Sequence, residues 1–595
     1  MQFQNLLQIF SETAARQGGA PCFRYKEGGR WRTLNWNEVN QKIIDLAGGL
    51  VKLGVKKGDR VCIFSQTRTE WTLADMAILS VGAVTVPIYQ SNLPDQAGYI
   101  IQNSEARLAF VEDAVQLKKI NEVRPELPLL KQIILFDNGT AAIREKGIYT
   151  LEEVLLLGNG EGKAAFEEMK RSLHPDSEAS FVYTSGTTGP PKGAVLTHGN
   201  FIAELEALEV IFDFEPHYES LLFLPLAHIL ARVVQFAQLQ RGFIQVYAES
   251  IDKLLDNVQE VRPHLMASVP RIFEKIHTRV MQGVEASSKR RQKIFSWACA
   301  VGKQYSACLQ AKKPVSLLLR LKWKTAYHLV FSKLHKKLGG RIRFFITGGA
   351  PLPAEIGEFF ESAGFAILEG YGLTETSAAI TCNTLKERRI GTVGRPLKGV
   401  EIKIADDGEI LTRGPVVFKG YYRQAEATSE ALNTGGWFHT GDIGVFDDDG
   451  YLKITDRKKD IIVTAAGKNI APQNIESLLK TDPLISQAMV HGDRRKYLSA
   501  LITLDKNEII RYAQNHSIPF QDYADLVKNK KIYGLLKQRI EEKNKHLAQY
   551  ETIKKFAILE NDFSIDTGEL TPTLKVKRKF TSQKYREILD SLYQE

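Results

Sequence analysis

Tyr183-Thr184-Ser185-Gly186-Thr187-Thr188-Gly189-Pro190-Pro191-Lys192-Gly193 is the most informative stretch of the 595-residue chain. A strand-like run, Phe181-Val182-Tyr183, leads into four hydroxyl side chains, three glycines and one lysine. Glycine lets backbone N–H groups approach an anion closely, and hydroxyls add donors that reorient as charge moves. The lysine supplies a point charge for a phosphate oxygen. The string is not a Walker A loop: that pattern needs Gly-Lys-Ser/Thr after four spacers, and here Pro191 precedes Lys192. It reads as a phosphate cradle rather than as an ordinary Ser/Thr/Gly surface turn.

Outward from this loop, helical and strand patterns alternate. Residues 37–54 place apolar side chains at helical spacing, and Gly58–Ser65 then gives a short β run. The helical pattern of residues 71–83 precedes Val84–Tyr89, and a helix over Asp95–Asn103 precedes Arg107–Glu112. Strands separated by helices of this length predict parallel α/β layers. Similar strand units recur at His264–Val269, Arg343–Ala350 and Phe365–Gly372. Gly394–Ile454 turns to short strands and turns, predicting a β-rich subdomain. The expected fold class is therefore α/β: a large N-terminal domain over 1–456, a hinge at 457–460, and a small mobile α+β domain over 461–595.

The composition, 44% hydrophobic and 25% charged, fits a globular protein. No uncharged apolar stretch is long enough to predict a spanning helix. The start, MQFQNLLQIFSETAARQ, lacks the basic-then-apolar layout of a secretory signal, and the five cysteines Cys22, Cys62, Cys299, Cys308 and Cys382 have no metal-ligand spacing. A cytoplasmic protein with reduced, small buried thiols is expected. The net charge of +10 is unevenly placed. Between Ala286 and Ala354 there is no Asp or Glu, while fifteen Lys and Arg residues stand between Lys289 and Arg343. Residues 284–340 look helical and amphipathic. With Phe295, Trp297, Trp323 and Phe331 beside the lysines, residues 286–343 suit an anionic membrane surface and a peripheral place on the inner face of the cell membrane. No nucleic-acid module accompanies them, so nucleic acid is excluded as a partner.

The loop at 183–193 resembles the phosphate-binding signature of the acyl-adenylate-forming superfamily, which includes acyl-CoA synthetases, firefly luciferases and peptide-synthetase adenylation domains. Further motifs of that superfamily follow in order along nearly the whole chain, with the likeness nearest to bacterial long-chain fatty acyl-CoA synthetases. The resemblance implies ATP, Mg²⁺ and coenzyme A as cofactor and co-substrates. It places the ATP phosphates on Thr184, Ser185, Gly186, Thr187, Thr188, Gly189 and Lys192. Thr347-Gly348-Gly349-Ala350-Pro351-Leu352 resembles the loop closing over adenine, giving roles to Gly349, Ala350 and Pro351. Gly370-Tyr371-Gly372-Leu373-Thr374-Glu375 matches the adenine and magnesium motif. There Tyr371 is expected to stack on the base, Thr374 to meet the α-phosphate, and Glu375, with Thr184, to hold the metal.

By the same resemblance Asp442 accepts the ribose hydroxyls and Arg457 lies beside them. His228, after Leu224-Pro225-Leu226-Ala227, sits beside the reacting carboxylate. Leu230 and Ala231 stand where close relatives often carry an aromatic residue and a Glu. Val269–Lys275 also resembles a superfamily segment, with a mainly structural role. Lys459 takes the hinge position, Lys575 in Thr571-Pro572-Thr573-Leu574-Lys575 reaches the first-step site, and Gly467 lines the coenzyme A tunnel. Ala465-Ala466-Gly467 replaces the Ser-Gly-Gly of many relatives.

These roles imply attack of a carboxylate on the α-phosphorus of ATP, then attack of the coenzyme A thiol on the acyl carbon, with alignment and charge stabilisation as the catalytic means. Catalysis is expected from Lys575, Lys192, His228, Glu375 and Thr374. The apolar stretch between Phe201 and Phe243, with no partner for an ammonium, favours a hydrophobic acid. Rival readings are a fatty acyl-AMP ligase, a ligase for an aryl acid, and a non-catalytic lipid-binding scaffold. The first usually carries a blocking insertion, absent between Gly420 and Ser477; the last does not explain Lys192, Glu375, Asp442, Arg457 and Lys575 together. A homodimer is left open.

Overall fold

The computed structural model describes residues 2–137, 146–159, 161–184, 190–465, 468–571 and 575–594. Two large sheets carry the first part of the chain. In one, Leu108–Val111, Arg60–Phe64 and Val84–Ile88 run parallel beside Glu178–Thr184, which turns back antiparallel through Lys192–Thr197. In the other, Ile244–Tyr247, Glu219–Leu222, Leu265–Ser268, Phe344–Thr347 and Ala366–Tyr371 are parallel neighbours. Their side chains are buried on both faces, as parallel strands covered by helices require. A four-stranded antiparallel sheet follows, from Glu401–Ile404 to Leu452–Arg457. After Ile461 a separate core forms around Ile475, Leu498, Ala500, Ile532 and Phe556, on a three-stranded sheet with helices. The α/β class with a β-rich subdomain and a smaller α+β unit is the observed architecture.

The helices begin where local chemistry directs them. Asn35 and Glu38 form a reciprocal capping box at the start of Trp36–Lys52, and Thr150 with Glu153 does the same for Leu151–Gly158. The predicted helices near 71–83 and 95–103 are Thr69–Ser80 and Pro94–Asn103. The phosphate-loop strand does not lead into a helix. It makes a hairpin, and Thr184 and Lys192 face each other across its mouth.

The two sheets are joined by an ion pair with no solvent exposure. Arg232, on the helix Ile229–Arg241, donates through Nη2 to Asp75 Oδ1 at 2.9 Å, and Asp75 lies on Thr69–Ser80. Gln235 Nε2 donates to the other carboxylate oxygen at 2.8 Å, and Arg232 Nη1 reaches Ser180 Oγ at 3.1 Å on the phosphate-loop strand. The guanidinium also lies over the rings of Trp71, Phe201 and Phe236. Such a pair adds little over apolar packing, but removing one partner strands a buried charge.

The basic segment is helical, as expected: Lys289–Gln310, Leu317–Ala326, a π-helical turn Tyr327–Phe331 and Ser332–Lys337. Its aromatic residues differ from the expectation. Phe331 is fully buried, Phe295 packs against Phe359, and Trp323 stacks on Tyr305 while donating to Ser362 O at 3.2 Å. Of the four aromatics named above, only Trp297 is exposed. The helices must cover the sheet, and the largest apolar side chains are drawn to that face. Cys22, Cys62 and Cys382 are buried, and Cys299 and Cys308 half-buried, all as free thiols. No helix among the described residues is long and apolar enough to cross a membrane.

Asp75→Ala is expected to lower stability by about 3–5 kcal/mol, whereas Asp75→Leu combined with Arg232→Met should be near neutral. Urea denaturation of both variants checks this; equal losses would count against a stranded charge as the cause.

Candidate active site

The C-terminal ends of the parallel strands, the phosphate hairpin and the last antiparallel hairpin converge on one cleft. Strand Ala366–Tyr371 delivers Tyr371, whose hydroxyl donates to Asp442 Oδ2 at 2.7 Å. Asp442 and Arg457 are register partners on adjacent strands, and Arg457 Nε lies 3.2 Å from Asp442 Oδ1. The fifteen-residue separation of these two is thus the length of a hairpin closing on itself. Asp442 is buried and still holds an aromatic hydroxyl and a guanidinium, one on each oxygen.

Gly370 and Gly372 flank Tyr371. A Cβ on Gly372 would meet Ala378 O at 1.6 Å, so only glycine allows the chain to fold back over itself there. The turn that follows, Thr374–Thr376, leads into Ser377 and Ala378 with φ of +58° and +121°. Backbone strain of this kind persists only where the surroundings hold it. Ser377 Oγ donates to Val416 O at 2.7 Å, and Glu204 accepts the Ala379 N–H at 2.9 Å. Thr374 is half-buried at the head of the turn. Glu375 is buried, and its Oε1 accepts from the Tyr421 hydroxyl at 2.8 Å. Burial pushes the Glu375 carboxyl up, opposed by the Tyr421 bond and by Arg457.

Lys192 stands on the other side of Tyr421, its Nζ 5.1 Å from the ring centroid. Tyr421 reaches this place because Gly420–Tyr421 pairs with the hairpin strand that carries Lys192. Thr184, across from Lys192, is half-buried. Ser185, Gly186, Thr187, Thr188 and Gly189 lie outside the described residues.

Gly349, Ala350 and Pro351 form an exposed loop after strand Phe344–Thr347, and Gly349 has φ +80°. A Cβ there would sit 3.9 Å from His228 Cε1, so this loop abuts the histidine. Glu369 Oε1 accepts the Leu352 N–H at 3.2 Å and ties the loop to the Tyr371 strand; burial pushes its carboxyl up to about 8. His228 caps the helix Ile229–Arg241, with Nδ1 accepting the Leu230 N–H at 3.2 Å. That bond leaves Nε2 as the protonated nitrogen of the neutral ring. Lost hydration, and then the charge of Lys575, push His228 down to about 4.

Lys575 comes from the last unit of the chain. Thr571 and Lys575 close a tight turn, the Thr571 N–H donating to Lys575 O at 2.8 Å and the Lys575 N–H to Thr571 Oγ1 at 3.0 Å. The side chain opens onto the cleft, but protein crowds it and displaces hydration. That loss, and then Arg457, push the ammonium down to about 8, while Asp442 and Glu375 pull it up. Its field reaches His228, Asp442, Arg457 and Glu375, residues from three parts of the fold.

Lys459 is exposed in the turn 458–460. Asp460 and Arg578 lie 3.9 Å apart, and Arg578 donates through both terminal nitrogens to Glu476, at 2.8 and 2.9 Å. Val269 precedes the helix Pro270–Glu285, whose first turns hold Arg271 and Glu274 as an ion pair. Gly467 lies outside the described residues. Tyr421, Glu369 and Glu204 escaped the sequence reading. The Gly-Tyr-Tyr triplet at 420–422 was the visible signal for the first; the carboxyls gave none.

An open cleft with a carboxylate between an aromatic hydroxyl and a guanidinium, a lysine on the strand that follows the phosphate loop, and a second lysine on a separate unit suits a polyphosphate nucleotide with an acid. Residues 10–422 match the AMP-binding enzyme family, and residues 459–595 match the AMP-binding enzyme C-terminal domain. The chain belongs to the AMP-binding enzyme family. Among its relatives, the long-chain-fatty-acid–CoA ligase FadD15 of Mycobacterium bovis is 39% identical over 95% of this chain and 93% of its own. The long-chain-fatty-acid–CoA ligase ACSBG2 of Xenopus laevis is 32% identical over 99% and 83%. The adenylation domain of a carboxylate reductase from Mycobacterium chelonae shares the fold at a TM-score of 0.78 and 22% identity, over 99% of this chain and 91% of that one.

Replacing Lys575 with alanine removes the positive charge that opposes His228 protonation, so the His228 pKa is expected to rise from about 4. Imidazole titration by NMR in the wild type and the variant measures this, and coincident curves would place Lys575 outside the cleft.

Proposed function

We propose that the chain activates a long-chain fatty acid with ATP and transfers the acyl group to coenzyme A. The observation that carries this reading is the convergence of Lys192, Glu375, Asp442, Arg457, His228 and Lys575 on one cleft. The relatives' names as long-chain fatty acid ligases, with matches running over nearly the whole chain, support the substrate class.

In the first step a carboxylate oxygen forms a bond to the α-phosphorus, and the bond to pyrophosphate breaks. The product is an acyl-AMP anhydride. The phosphate hairpin, Thr184 to Lys192 with Ser185, Gly186, Thr187, Thr188 and Gly189 between them, holds the leaving pyrophosphate. Tyr371 and the loop Gly349–Pro351 enclose adenine, with Gly370 and Gly372 giving the room. Asp442 exchanges its Tyr371 and Arg457 partners in part for ribose hydroxyls. Thr374 meets the α-phosphate. Lys575 spans the carboxylate and the ribose–phosphate side, and His228 presents its Nε2–H to the developing anhydride. Charge stabilisation by donors already in place costs no reorganisation.

Glu375 fits an Mg²⁺ ion bound together with ATP. It is a single buried carboxylate, and no cluster of three metal-ligating residues exists among the described residues. An octahedral ion that keeps waters and takes phosphate oxygens needs only one or two protein ligands. Glu375 and Thr184 would hold it, and when bound it supplies neutralisation of phosphate charge.

In the second step the coenzyme A sulfur forms a bond to the acyl carbon, the anhydride C–O bond breaks, and AMP leaves. We assign residues 1–456 to the catalytic body, 457–460 to a hinge at Lys459, and 461–595 to a unit that rotates after pyrophosphate departs. Rotation withdraws Lys575 and brings Gly467 to the thiol path, a hinge closure of known kind. We assign the acyl chain to the mainly apolar stretch between Phe201 and Phe243, which contains Leu230.

ATP–pyrophosphate exchange across a panel of carboxylic acids, with and without coenzyme A, tests both halves. Exchange and thioester formation with long-chain acids are expected; exchange without thioester would sink the coenzyme A step and spare adenylation. A second readout uses Lys575. kcat/KM for ATP in the exchange reaction reports groups of the free enzyme. It should fall as pH rises through about 8, where the ammonium loses its charge. Lys575→Arg should carry the decline further into alkali, and Lys575→Ala should lower exchange by about 10²–10³.

A further inference from the structure

The helix Leu317–Ala326 has two apolar faces that point in opposite directions. One face packs: Leu319 and Trp323 lie against the core and Ala326 is buried. The other has no protein beneath it. Leu317, Leu318 and Leu321 are 83%, 63% and 64% exposed, and Leu329 in the following π-helical turn is 54% exposed. At roughly 100° per residue, Leu317, Leu321 and Leu318 fall within one sector of about 100°. That sector is turned away from Leu319, Trp323 and Ala326. Arg320 and Lys324 border it on one side and Lys322 on the other, and all three are exposed.

The helix is held firmly in this attitude. It forms an antiparallel hairpin with Lys289–Gln310, through the stacking of Tyr305 on Trp323 at 4.8 Å. Trp323 Nε1 anchors it to Ser362 O, and Ser316 caps it by accepting the Leu319 N–H at 3.2 Å. Leu309, at the end of the partner helix, is also exposed, and Lys312 and Lys313 lie in the turn between the two helices. The leucines are therefore displayed by a rigid scaffold and not by a frayed end.

We infer that this leucine stripe is the surface by which the enzyme lies on an anionic lipid bilayer, with the stripe sunk into the acyl boundary and Arg320, Lys322 and Lys324 at the phosphate level. The inference rests on the long-chain reading above, because a substrate of that class partitions into bilayers. Three observations select lipid as the occupant. An apolar stripe flanked on both sides by long cationic side chains matches an interface whose polar layer is anionic and whose interior is hydrocarbon. The whole segment between Ala286 and Ala354 lacks a carboxylate to neutralise those cations. A second copy of the chain would bring the same cations together, so self-association through this face is opposed by its charge. The aromatic residues of the segment do not take part, since all but Trp297 turn inward or are partly covered.

Flotation of the full chain with vesicles of phosphatidylcholine, with and without about one third phosphatidylglycerol, tests the inference. The wild type should float with the anionic vesicles and largely remain behind with the neutral ones. Leu317→Ser/Leu318→Ser/Leu321→Ser should lose about tenfold or more in vesicle affinity, since each leucine contributes a separate hydrophobic increment. These side chains touch no core, so the variant's melting temperature and its activity on a detergent-dispersed acid should match the wild type. Arg320→Glu/Lys322→Glu/Lys324→Glu should lose the preference for anionic vesicles. Undiminished flotation of the leucine variant, or absence of wild-type flotation at low salt, would overturn the proposal. So would a wild-type dimer that becomes monomeric in the leucine variant without vesicle binding, which assigns the stripe to self-association. Flotation in a chain that shows no acyl activation would leave this surface standing and remove the proposed reaction instead.

Discussion

The arrangement of the cleft depends on one carboxylate, Asp442, and on the two bonds it makes. Its oxygens hold the Tyr371 hydroxyl from a parallel strand and Arg457 from the opposite strand of its own hairpin. A buried carboxylate needs partners on both oxygens, and here those partners come from two different sheets. Satisfying Asp442 therefore ties the nine-stranded sheet to the four-stranded one. Arg457 is also the last residue of its strand, so the same bond holds the strand end just before the turn 458–460. The charge of that pair then acts on Lys575, with Asp442 favouring its protonated form and Arg457 opposing it.

Around this anchor the cleft gathers groups whose hydration has been stripped away. His228 is driven toward neutrality, Glu369 toward its protonated form, and Lys575 toward titration near neutral pH, with burial the largest influence in each. Glu369 is buried within the body, whereas the displacements of His228 and Lys575 both carry a contribution across the two units. Lys575 opens onto the cleft but is crowded by the body, and His228, already disfavoured as a cation by lost hydration, is further discouraged from charging because Lys575 is near. Withdrawing the final unit would relax both at once. The electrostatics of the cleft thus report the relative position of the two units, and no single element can set them alone.

Much of the fold was legible because period and punctuation agreed. The strands at Arg60–Phe64, Val84–Ile88, Leu265–Ser268 and Ala366–Tyr371 are short apolar runs between helices, and such runs have few alternatives in an α/β chain. The residues gathered at the cleft stand in motifs where glycines, hydroxyls and single charges follow an order that packing does not require, which is why the sequence singles them out. Tyr421 was not, since its role follows from the antiparallel pairing of a two-residue strand with the strand of Lys192, a long-range event. Glu204 and Glu369 look like ordinary helix and strand acids until tertiary burial isolates them. The basic segment shows the same limit in another form. Its helical period was visible, but which apolar residues face the core was decided by the sheet it covers: Phe295, Trp323 and Phe331 turned inward, while Trp297, Leu317, Leu318 and Leu321 stayed out.

Within the final unit, a buried ion pair lies close in sequence to Lys575. Arg578 stands three residues after Lys575 and makes a two-pronged bond to Glu476 within the unit, besides donating to Val490 O at 2.9 Å. Toward the body, Asp456 is buried with its Oδ2 unpaired, and burial pushes its carboxyl up to about 7 although Arg578 opposes this. A carboxyl left incompletely satisfied at such a junction marks a boundary where bonding was not maximised. Any motion that moves Lys575 must carry Arg578 and Glu476 with it, because separating that pair strands a buried charge. At the turn 458–460 the Lys458 N–H donates to Gly441 O, and its ammonium lies on exposed Asp407 and buried Glu409. If the final unit turns at Lys459 as proposed, the lysine at the cleft travels with the Arg578–Glu476 pair.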